Sequence, residues 1–87
     1  MKELKNTVAL MNSADYKERF KAEYYQTKIR YEKLKAFNNK IEAAFYSQEV
    51  QEPKHDCPYD LLTRQQHAMG EYLRVLEVRA VIEGIEL

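Results

Sequence analysis

The fold is decided by residues 14–47, ADYKERFKAEYYQTKIRYEKLKAFNNKIEAAFYS, a stretch without glycine or proline. Its larger side chains alternate at spacings of four and three residues, the seven-residue repeat of a helix that packs along one face. These positions are Phe20, Tyr24, Thr27, Tyr31, Leu34, Asn38, Ile41 and Phe45. The pattern predicts one long helix over 14–47 with Ser13 as its N-cap. The pair Asn38-Asn39 has poor helix propensity, which leaves a kink or break open at that point.

Two further helices are predicted on either side of the long helix. A short amphipathic helix spans 2–11, and a helix over 58–83 follows a loop at 48–57. Proline is tolerated at the first helical position, which suits Pro58, and Gly84 is the expected C-terminal stop. The apolar positions are Leu4, Val8 and Met11 in the short helix, and Leu61, Leu62, Met69, Tyr72, Leu76 and Ile82 in the last one. The chain is therefore predicted to be one all-α domain, a short leading helix plus a long antiparallel hairpin.

Composition narrows the class of protein. Apolar residues make up 45% of the chain and charged residues 32%, which is typical of a folded domain rather than a disordered chain. The single cysteine, Cys57, excludes an internal disulfide and fits a reducing compartment. No apolar run approaches the roughly 18 residues that span a bilayer, and no signal peptide follows Met1. We therefore expect a cytosolic protein that does not enter a membrane.

The aromatic content predicts self-association. Seven tyrosines and three phenylalanines occur, most of them between Tyr16 and Tyr46. Two helices touch along one line, so a lone hairpin leaves much of this apolar surface uncovered. Assembly of several copies into a helical bundle is the simplest way to bury it, and we expect a homo-oligomer.

The charges are unevenly distributed although the formal net charge is zero. Residues 14–40 carry an excess of basic side chains, and residues from 41 onward carry an excess of acids. This division suits attraction between helices or a local anion site better than a nucleic-acid surface. Because acids also interrupt the basic segment, we expect no binding to DNA or RNA.

Arg79 is the most informative polar position of the last helix. It continues the apolar spacing of Tyr72 and Leu76, where a charged side chain is costly unless it is paired. One interpretation is a buried ion pair with Glu23, which an antiparallel hairpin brings close. The other is that Arg79 is presented to a phosphate or carboxylate ligand, which its planar guanidinium suits. Gln65, on the same face, has the same two interpretations.

A second polar stripe runs along the long helix at spacings of three and four residues. It comprises Tyr16, Arg19, Glu23, Gln26 and Arg30. An aromatic ring and guanidinium groups on one face have the chemistry to stack on a base and hold a phosphate. The alternative is a solvated face with pairs such as Arg19–Glu23.

Catalytic and metal-binding motifs are lacking. His55, Cys57 and His67 do not have the spacing of a zinc site. The sequence contains no Ser/His/Asp motif, no glycine-rich phosphate loop and no paired carboxylates. We expect neither an enzyme, nor a metal site, nor a cofactor.

The order of residues resembles a family of small helical proteins encoded by phages, known from crAss-like phages and many others. The first half of the likeness is Asp15-Tyr16-x-x-Arg19-x-x-x-Glu23, followed by Lys33-Leu34-x-x-Phe37. The second half is Cys57-Pro58-x-x-Leu61-Leu62-x-x-Gln65-x-x-x-Met69-x-x-Tyr72, ending in Leu76-x-x-Arg79. The likeness covers residues 14–82 and leaves the leading segment, residues 1–13, outside it.

The resemblance implies a binding function without chemistry. Several small oligomeric helical phage proteins act as sponges for the nucleotide immune signals of bacterial CBASS or Thoeris defence, which are cyclic oligonucleotides or ADP-ribose derivatives. By analogy, this chain is expected to capture such a nucleotide through Tyr16, Arg19, Glu23, Arg30, Gln65, Tyr72 and Arg79. The alternative hypothesis is a helical module that binds a host or phage protein, which predicts that Arg79 is buried in a salt bridge.

Overall fold

The computed structural model describes residues 3–87. They form three α-helices, α1 (Val8–Met11), α2 (Tyr16–Tyr46) and α3 (Tyr59–Glu83), and a 3-10 turn, Leu4–Thr7, that leads into α1. No β-strand occurs within these residues, so the predicted all-α class is confirmed. The leading segment is two short consecutive turns rather than one helix over 2–11, and residue 2 lies outside the described part of the chain.

Helix α2 is continuous from Tyr16 to Tyr46, so the break considered at Asn38-Asn39 does not occur. The predicted N-cap at Ser13 is wrong, because Asp15 caps the helix by accepting a hydrogen bond from the backbone N–H of Lys17 at 3.0 Å. Ser13 instead accepts from the backbone N–H of Asp15, also at 3.0 Å. The Ser13 side chain thus stabilises the turn before the helix. Only the Asp15 side chain is near enough to reach a free backbone N–H in the first turn of α2.

Helix α3 runs back along α2 to complete the antiparallel hairpin. Its N-cap residue is Pro58, one position earlier than the helical position predicted for it. At the other end Gly84 adopts the left-handed conformation, with φ of 69°, and ends the helix as predicted. The N–H of Ile85 then donates to the carbonyl of Ala80 at 2.8 Å, and Ile85 folds back into the core.

The core lies between α2 and α3 and is richest where the start of α2 meets the end of α3. One buried cluster contains Phe20, Tyr24, Leu73, Leu76, Ala80 and Ile85. Nearer the loop, Ile41 is fully buried. Most of the predicted α2 seam is buried or half-buried, but Phe45 is 58% exposed and packs edge-on against Tyr59. Next to the loop, Phe45 therefore lies at the edge of the core rather than inside it.

The predicted apolar face of α3 is half right, since Leu62, Met69 and Leu76 lie toward α2 and the other three residues do not. Only Leu76 of that set is buried, and Tyr72 and Ile82 are exposed. The face that meets α2 has a seven-residue repeat of its own, which consists of Leu62, Gln66, Met69, Leu73, Leu76 and Ala80. The prediction mixed this inner stripe with a second apolar stripe beside it, because both have the spacing of a packed helix.

A buried polar contact fixes how α2 and α3 are aligned. Asn38 is 2% exposed, and its side-chain amide donates to the carbonyl of Leu62 at 3.2 Å and to Oε1 of Gln66 at 2.9 Å. Its own Oδ1 has no partner among the described residues. Because a buried amide loses these bonds when the helices slide, Asn38 favours a single register of the hairpin.

The leading segment covers another face of α2 and does not contact α3 within residues 3–87. Thr7 is fully buried, and its hydroxyl donates to the carbonyl of Leu4 at 2.6 Å. Gln26 on α2 donates to the Thr7 hydroxyl at 2.9 Å. Ala22 and Ile29, which lie on the same face of α2 as Gln26, are also buried.

Candidate functional site

Three side chains form a closed hydrogen-bonded cluster at the open end of the hairpin. The Tyr16 hydroxyl donates to Oε1 of Glu83 at 2.8 Å. Arg79 donates from Nη2 to the Tyr16 oxygen at 2.9 Å and from Nε to Oε2 of Glu83 at 3.1 Å. We call Tyr16, Arg79 and Glu83 the Arg79 cluster. Because Tyr16 begins α2 and Glu83 ends α3, the cluster also ties the two helices together.

The local sequence explains the position of Arg79. Arg79 and Glu83 are four residues apart, so they lie on the same face of α3. The guanidinium carbon lies 5.1 Å from the centre of the Phe20 ring, a cation–π arrangement. Phe20 is buried and meets the Tyr16 ring edge-on at 6.2 Å. The Arg79 guanidinium thus packs over the Phe20 ring on one side and is exposed to solvent on the other.

Glu83 raises the pKa of both other members. Its hydrogen bond raises the pKa of Tyr16 above the ordinary tyrosine value, and a tyrosine hydroxyl is protonated at neutral pH with or without this shift. The same carboxylate raises the pKa of Arg79, again chiefly through their hydrogen bond. The cluster therefore presents a permanent cation next to a hydroxyl.

A second contact lies one heptad further along the same flank. Glu23 is seven residues after Tyr16, Tyr72 is seven before Arg79, and the Tyr72 hydroxyl donates to Oε2 of Glu23. Another step of seven in each helix leads to Arg30 and Gln65, but no hydrogen bond joins these two side chains within residues 3–87. The Tyr16–Arg79 and Glu23–Tyr72 contacts are therefore two successive links along one side of the hairpin.

Three predicted residues take no part in these contacts. Arg19 donates from Nη1 to the carbonyl of Ser13 at 2.9 Å and so braces the turn before α2. Gln65 makes a long contact from Nε2 to the sulfur of Met69 at 3.9 Å. Arg30 is exposed and forms no hydrogen bond or salt bridge with residues 3–87. The structure brings together Tyr16, Glu23, Tyr72 and Arg79 only.

The buried Glu23–Arg79 ion pair considered from the sequence is not present. The Arg79 side chain is 47% exposed and pairs with Glu83, whereas Glu23 accepts from Tyr72. The physical reason is proximity, because Glu83 is one turn away on the same helix and no inter-helix distance has to be spanned. Sequence reasoning missed Glu83 and Phe20, although the four-residue spacing of Arg79 and Glu83 was a usable signal.

The opposite flank of the hairpin carries a similar bond in a buried setting. The hydroxyl of Tyr24 donates to Oε2 of Glu77 at 2.7 Å, and the ring is 5% exposed. Burial, together with this hydrogen bond, raises the pKa of Tyr24 well above its ordinary range. This bond belongs to the core rather than to an accessible site.

The solvent side of α3 carries a second seven-residue repeat, which we call the outer stripe. It consists of Leu61, Gln65, Ala68, Tyr72, Val75, Arg79 and Ile82, all exposed. Val75 is 44% exposed and Ile82 78%. An open depression of about 520 Å³ lies beside it and is bordered by Glu71, Arg74, Val75, Val78 and Arg79. Three predicted ligand residues, Gln65, Tyr72 and Arg79, thus lie where the outer stripe meets the polar flank.

The residues considered for a metal site are not brought together. In His55, Nδ1 contacts the carbonyl of Cys57 at 2.6 Å, and Nε2 contacts Oε2 of Glu52 at 3.0 Å. His67 lies on α3, away from this loop. No group of three or more His, Cys, Asp or Glu side chains within residues 3–87 has the arrangement to hold a metal ion.

None of the helices in the described part of the chain has the length and apolar character to cross a bilayer. The fold and the Arg79 cluster define a small helical hairpin protein that displays an arginine, two tyrosines and their carboxylate partners on one flank.

Comparison with protein families shows which family this chain belongs to. The model of the Sequestin family matches residues 14–82, so the protein belongs to the Sequestin family. The match begins just before α2 and ends just before the end of α3, so it covers the hairpin and leaves the leading segment outside. Searches of curated proteins and of solved structures gave no match.

Proposed function

We propose that this protein is a phage sponge that binds a small cyclic or ADP-ribose-type nucleotide and holds it without cleaving it, which blocks Thoeris or CBASS defence in the host cytosol. The family name describes a sequestering protein, which supports the capture of a small molecule. The observation that carries the proposal is the exposed Arg79 cluster beside Tyr72 on the matched hairpin.

The cluster supplies the contacts that a nucleotide needs. A guanidinium has five N–H donors, and only two of those of Arg79 are used by Glu83 and Tyr16, so the others remain for phosphate oxygens. The rings of Tyr16 and Tyr72 are 47% and 41% exposed and are accessible for stacking on a base. Glu23 accepts one hydrogen bond from Tyr72 and has further acceptor capacity for a ribose hydroxyl.

Arg79 is prepared for this role by its neighbours. Glu83 holds the guanidinium at Nε, and the Phe20 ring lies beneath it. Much of the entropy of ordering a long side chain is therefore lost on folding rather than on binding. These groups bind and orient charge, and none of them is arranged as a nucleophile with its base, so we propose capture rather than reaction.

A ligand panel tests the proposal directly. The protein is incubated with cyclic dinucleotides, cyclic trinucleotides and cyclic ADP-ribose isomers, and its melting temperature is measured. A ligand at 100 times its dissociation constant stabilises the fold by about 2.7 kcal/mol, which corresponds to roughly 10–20 °C for a domain of this size. The bound nucleotide should be recovered intact by chromatography after heat denaturation.

Two arginine variants locate the site. Arg79→Ala should remove the shift while keeping the helical content, because the lost ion pair is on the surface. Arg64→Ala is the matched control, an exposed arginine on the same helix that does not border the depression beside Arg79, and should keep the shift. Absence of a shift with every nucleotide in the panel contradicts the function, and loss of the shift with Arg64→Ala alone contradicts the site.

The alternative, a module that binds another protein, has one observation in its favour, the exposed apolar part of the outer stripe. Its expectation of a buried Arg79 is not met, since that side chain is 47% exposed.

A further inference from the structure

The leading segment is held against α2 by one glutamine. The side-chain amide of Gln26 donates from Nε2 to the Thr7 hydroxyl at 2.9 Å and also contacts the sulfur of Met11. The Thr7 hydroxyl in turn donates to the carbonyl of Leu4 at 2.6 Å. Because Thr7 is fully buried, water cannot replace either of these partners, and separating the segment from Gln26 leaves a buried hydroxyl unpaired.

The attachment point lies well inside α2. Gln26 is ten residues after Tyr16, which is about 15 Å along the helix axis. The leading segment therefore reaches from this point to the beginning of α2, where residues 12–15 form the connecting turn. At that end Arg19 donates from Nη1 to the carbonyl of Ser13 at 2.9 Å. The turn before α2 is thus held by two separate parts of the helix.

Tyr16 is the residue of the Arg79 cluster that needs such support. It is the first residue of α2, where backbone N–H groups lack intrahelical partners and helices fray. Its hydroxyl nevertheless has to stay within hydrogen-bond distance of both Glu83 and Arg79. Since its side chain is 47% exposed, packing of the ring alone constrains it weakly.

We infer that the leading segment positions Tyr16 through the Thr7–Gln26 hydrogen bond, so that the Arg79 cluster is formed before a ligand binds. The statement about the ligand rests on the proposed function, whereas the statement about the order of the first turn of α2 does not. The leading segment contacts α2 and not α3 within residues 3–87, so its effect on the cluster passes through α2 and the turn at 12–15. Thr7 and Gln26 are therefore positioning residues.

The order of the first turn affects the affinity for a ligand. A ligand that requires Tyr16 and Arg79 in place binds only those molecules in which the turn is ordered. The apparent dissociation constant is then the intrinsic one divided by the ordered fraction. An ordered turn also reduces the entropy that is lost on binding.

Two substitutions of Thr7 test the positioning without a ligand. Thr7→Val keeps the shape of the side chain and removes its hydroxyl, whereas Thr7→Ser keeps the hydroxyl. NMR order parameters of the backbone N–H groups of residues 16–19 should stay near the rigid value of about 0.85 in the wild type and in Thr7→Ser, and should fall below about 0.6 in Thr7→Val. Values around Asn38 should be the same in all three proteins. Unchanged values at 16–19 in Thr7→Val, or an equal fall around Asn38, overturn the positioning.

Gln26→Leu tests the same hydrogen bond from its other partner. It removes the donor and leaves the leading segment itself unchanged, so the order parameters of residues 16–19 should fall as they do in Thr7→Val. If Thr7→Val loses its helical circular dichroism signal, Gln26→Leu and Thr7→Ser provide the comparison. A Gln26→Leu protein with a rigid first turn overturns the positioning.

A double-mutant cycle tests the effect on the ligand, with the nucleotide that gives the largest melting shift in the panel. Thr7→Val should weaken binding at least about 3-fold, and Thr7→Ser should stay within about 2-fold of the wild type. In a Tyr16→Phe background Thr7→Val should have little further effect, because phenylalanine makes no hydrogen bond with Glu83 or Arg79. Equal weakening in the two backgrounds overturns the route through Tyr16.

The two measurements separate this inference from the proposed function. A wild type that binds no nucleotide of the panel contradicts the function, while lower order parameters in Thr7→Val would still support the positioning of Tyr16. Lower order parameters together with unchanged affinity would overturn the effect on the ligand and leave the sponge function standing.

Discussion

The same change, tyrosine to phenylalanine, should have opposite consequences on the two flanks of the hairpin. Tyr24→Phe removes a hydroxyl that donates to Glu77 at 2.7 Å from a ring that is 5% exposed. Tyr16→Phe removes a hydroxyl that donates to Glu83 at 2.8 Å from a ring that is 47% exposed. The chemical unit is identical, so the comparison isolates the effect of its surroundings.

The structure sets the expected magnitudes. A hydrogen bond to a charged group contributes roughly 1.5–3 kcal/mol, and Glu77 is exposed enough to be rehydrated when the bond is lost. Tyr24→Phe should therefore lower the free energy of unfolding by about 1.5 kcal/mol, the lower end of that range. For Tyr16→Phe water replaces the lost partner, so the loss should be about 0.5 kcal/mol or less. Nucleotide affinity should follow the reverse order, because Tyr16 orients Arg79.

Urea unfolding followed by circular dichroism measures the first quantity, at one fixed protein concentration so that all variants are compared under the same conditions. Tyr31→Phe is the control, since its hydroxyl forms no hydrogen bond within residues 3–87 and should change the free energy of unfolding by less than about 0.5 kcal/mol. Equal losses for Tyr16→Phe and Tyr24→Phe would refute the division into a structural flank and a binding flank.

Three further outcomes follow from particular residues. Leu76→Ala, at a fully buried position, should cost about 2–5 kcal/mol in urea unfolding, and the exposed Val81→Ala less than about 0.5 kcal/mol. Gly84→Ala should cost about 1 kcal/mol through backbone strain alone, since its φ is 69° and nothing lies within 4 Å of an added Cβ. The hydrogen bonds of His55 to Cys57 and Glu52 raise its pKa, so the stability they add is complete below the ordinary pKa of about 6.5 and is lost as pH rises through the raised value. An NMR titration should give His55 a higher midpoint in the wild type than in the Glu52→Gln variant. Equal His55 midpoints in the two proteins would contradict this.

The long helix was predictable because its sequence pattern fits only one arrangement, a single helix with one buried face. Residues 16–46 contain no breaker and one dominant seam, so periodicity fixed both the element and most of its buried face. Asn38 shows what the pattern does not resolve. Propensity allowed a kink there, whereas the contacts with Leu62 and Gln66 hold the residue inside a continuous helix. Those partners lie in another element, beyond the reach of local rules.

The buried face of α3 was not predictable in the same way, because two apolar stripes run along this helix one residue apart. Leu76 belongs to the inner one and Ile82 to the outer one, and sequence spacing alone does not say which of them meets α2. The same limit explains the error about Arg79. The spacing grouped Arg79 with Tyr72 and Leu76, whereas in the structure Arg79 belongs with Tyr72 and Val75 to the exposed stripe, so no buried partner was needed.

The position of Arg79 on the outer stripe, rather than on the inner stripe of α3, has a physical reason. A guanidinium on the inner stripe would be cut off from water on all sides, and a fully buried ion pair often fails to recover its desolvation cost. On the outer stripe the same residue keeps one side open, while Glu83 and Phe20 support the other. The arginine is thus tolerated in an apolar repeat because that repeat lies at the surface, where the free N–H groups of Arg79 remain hydrated.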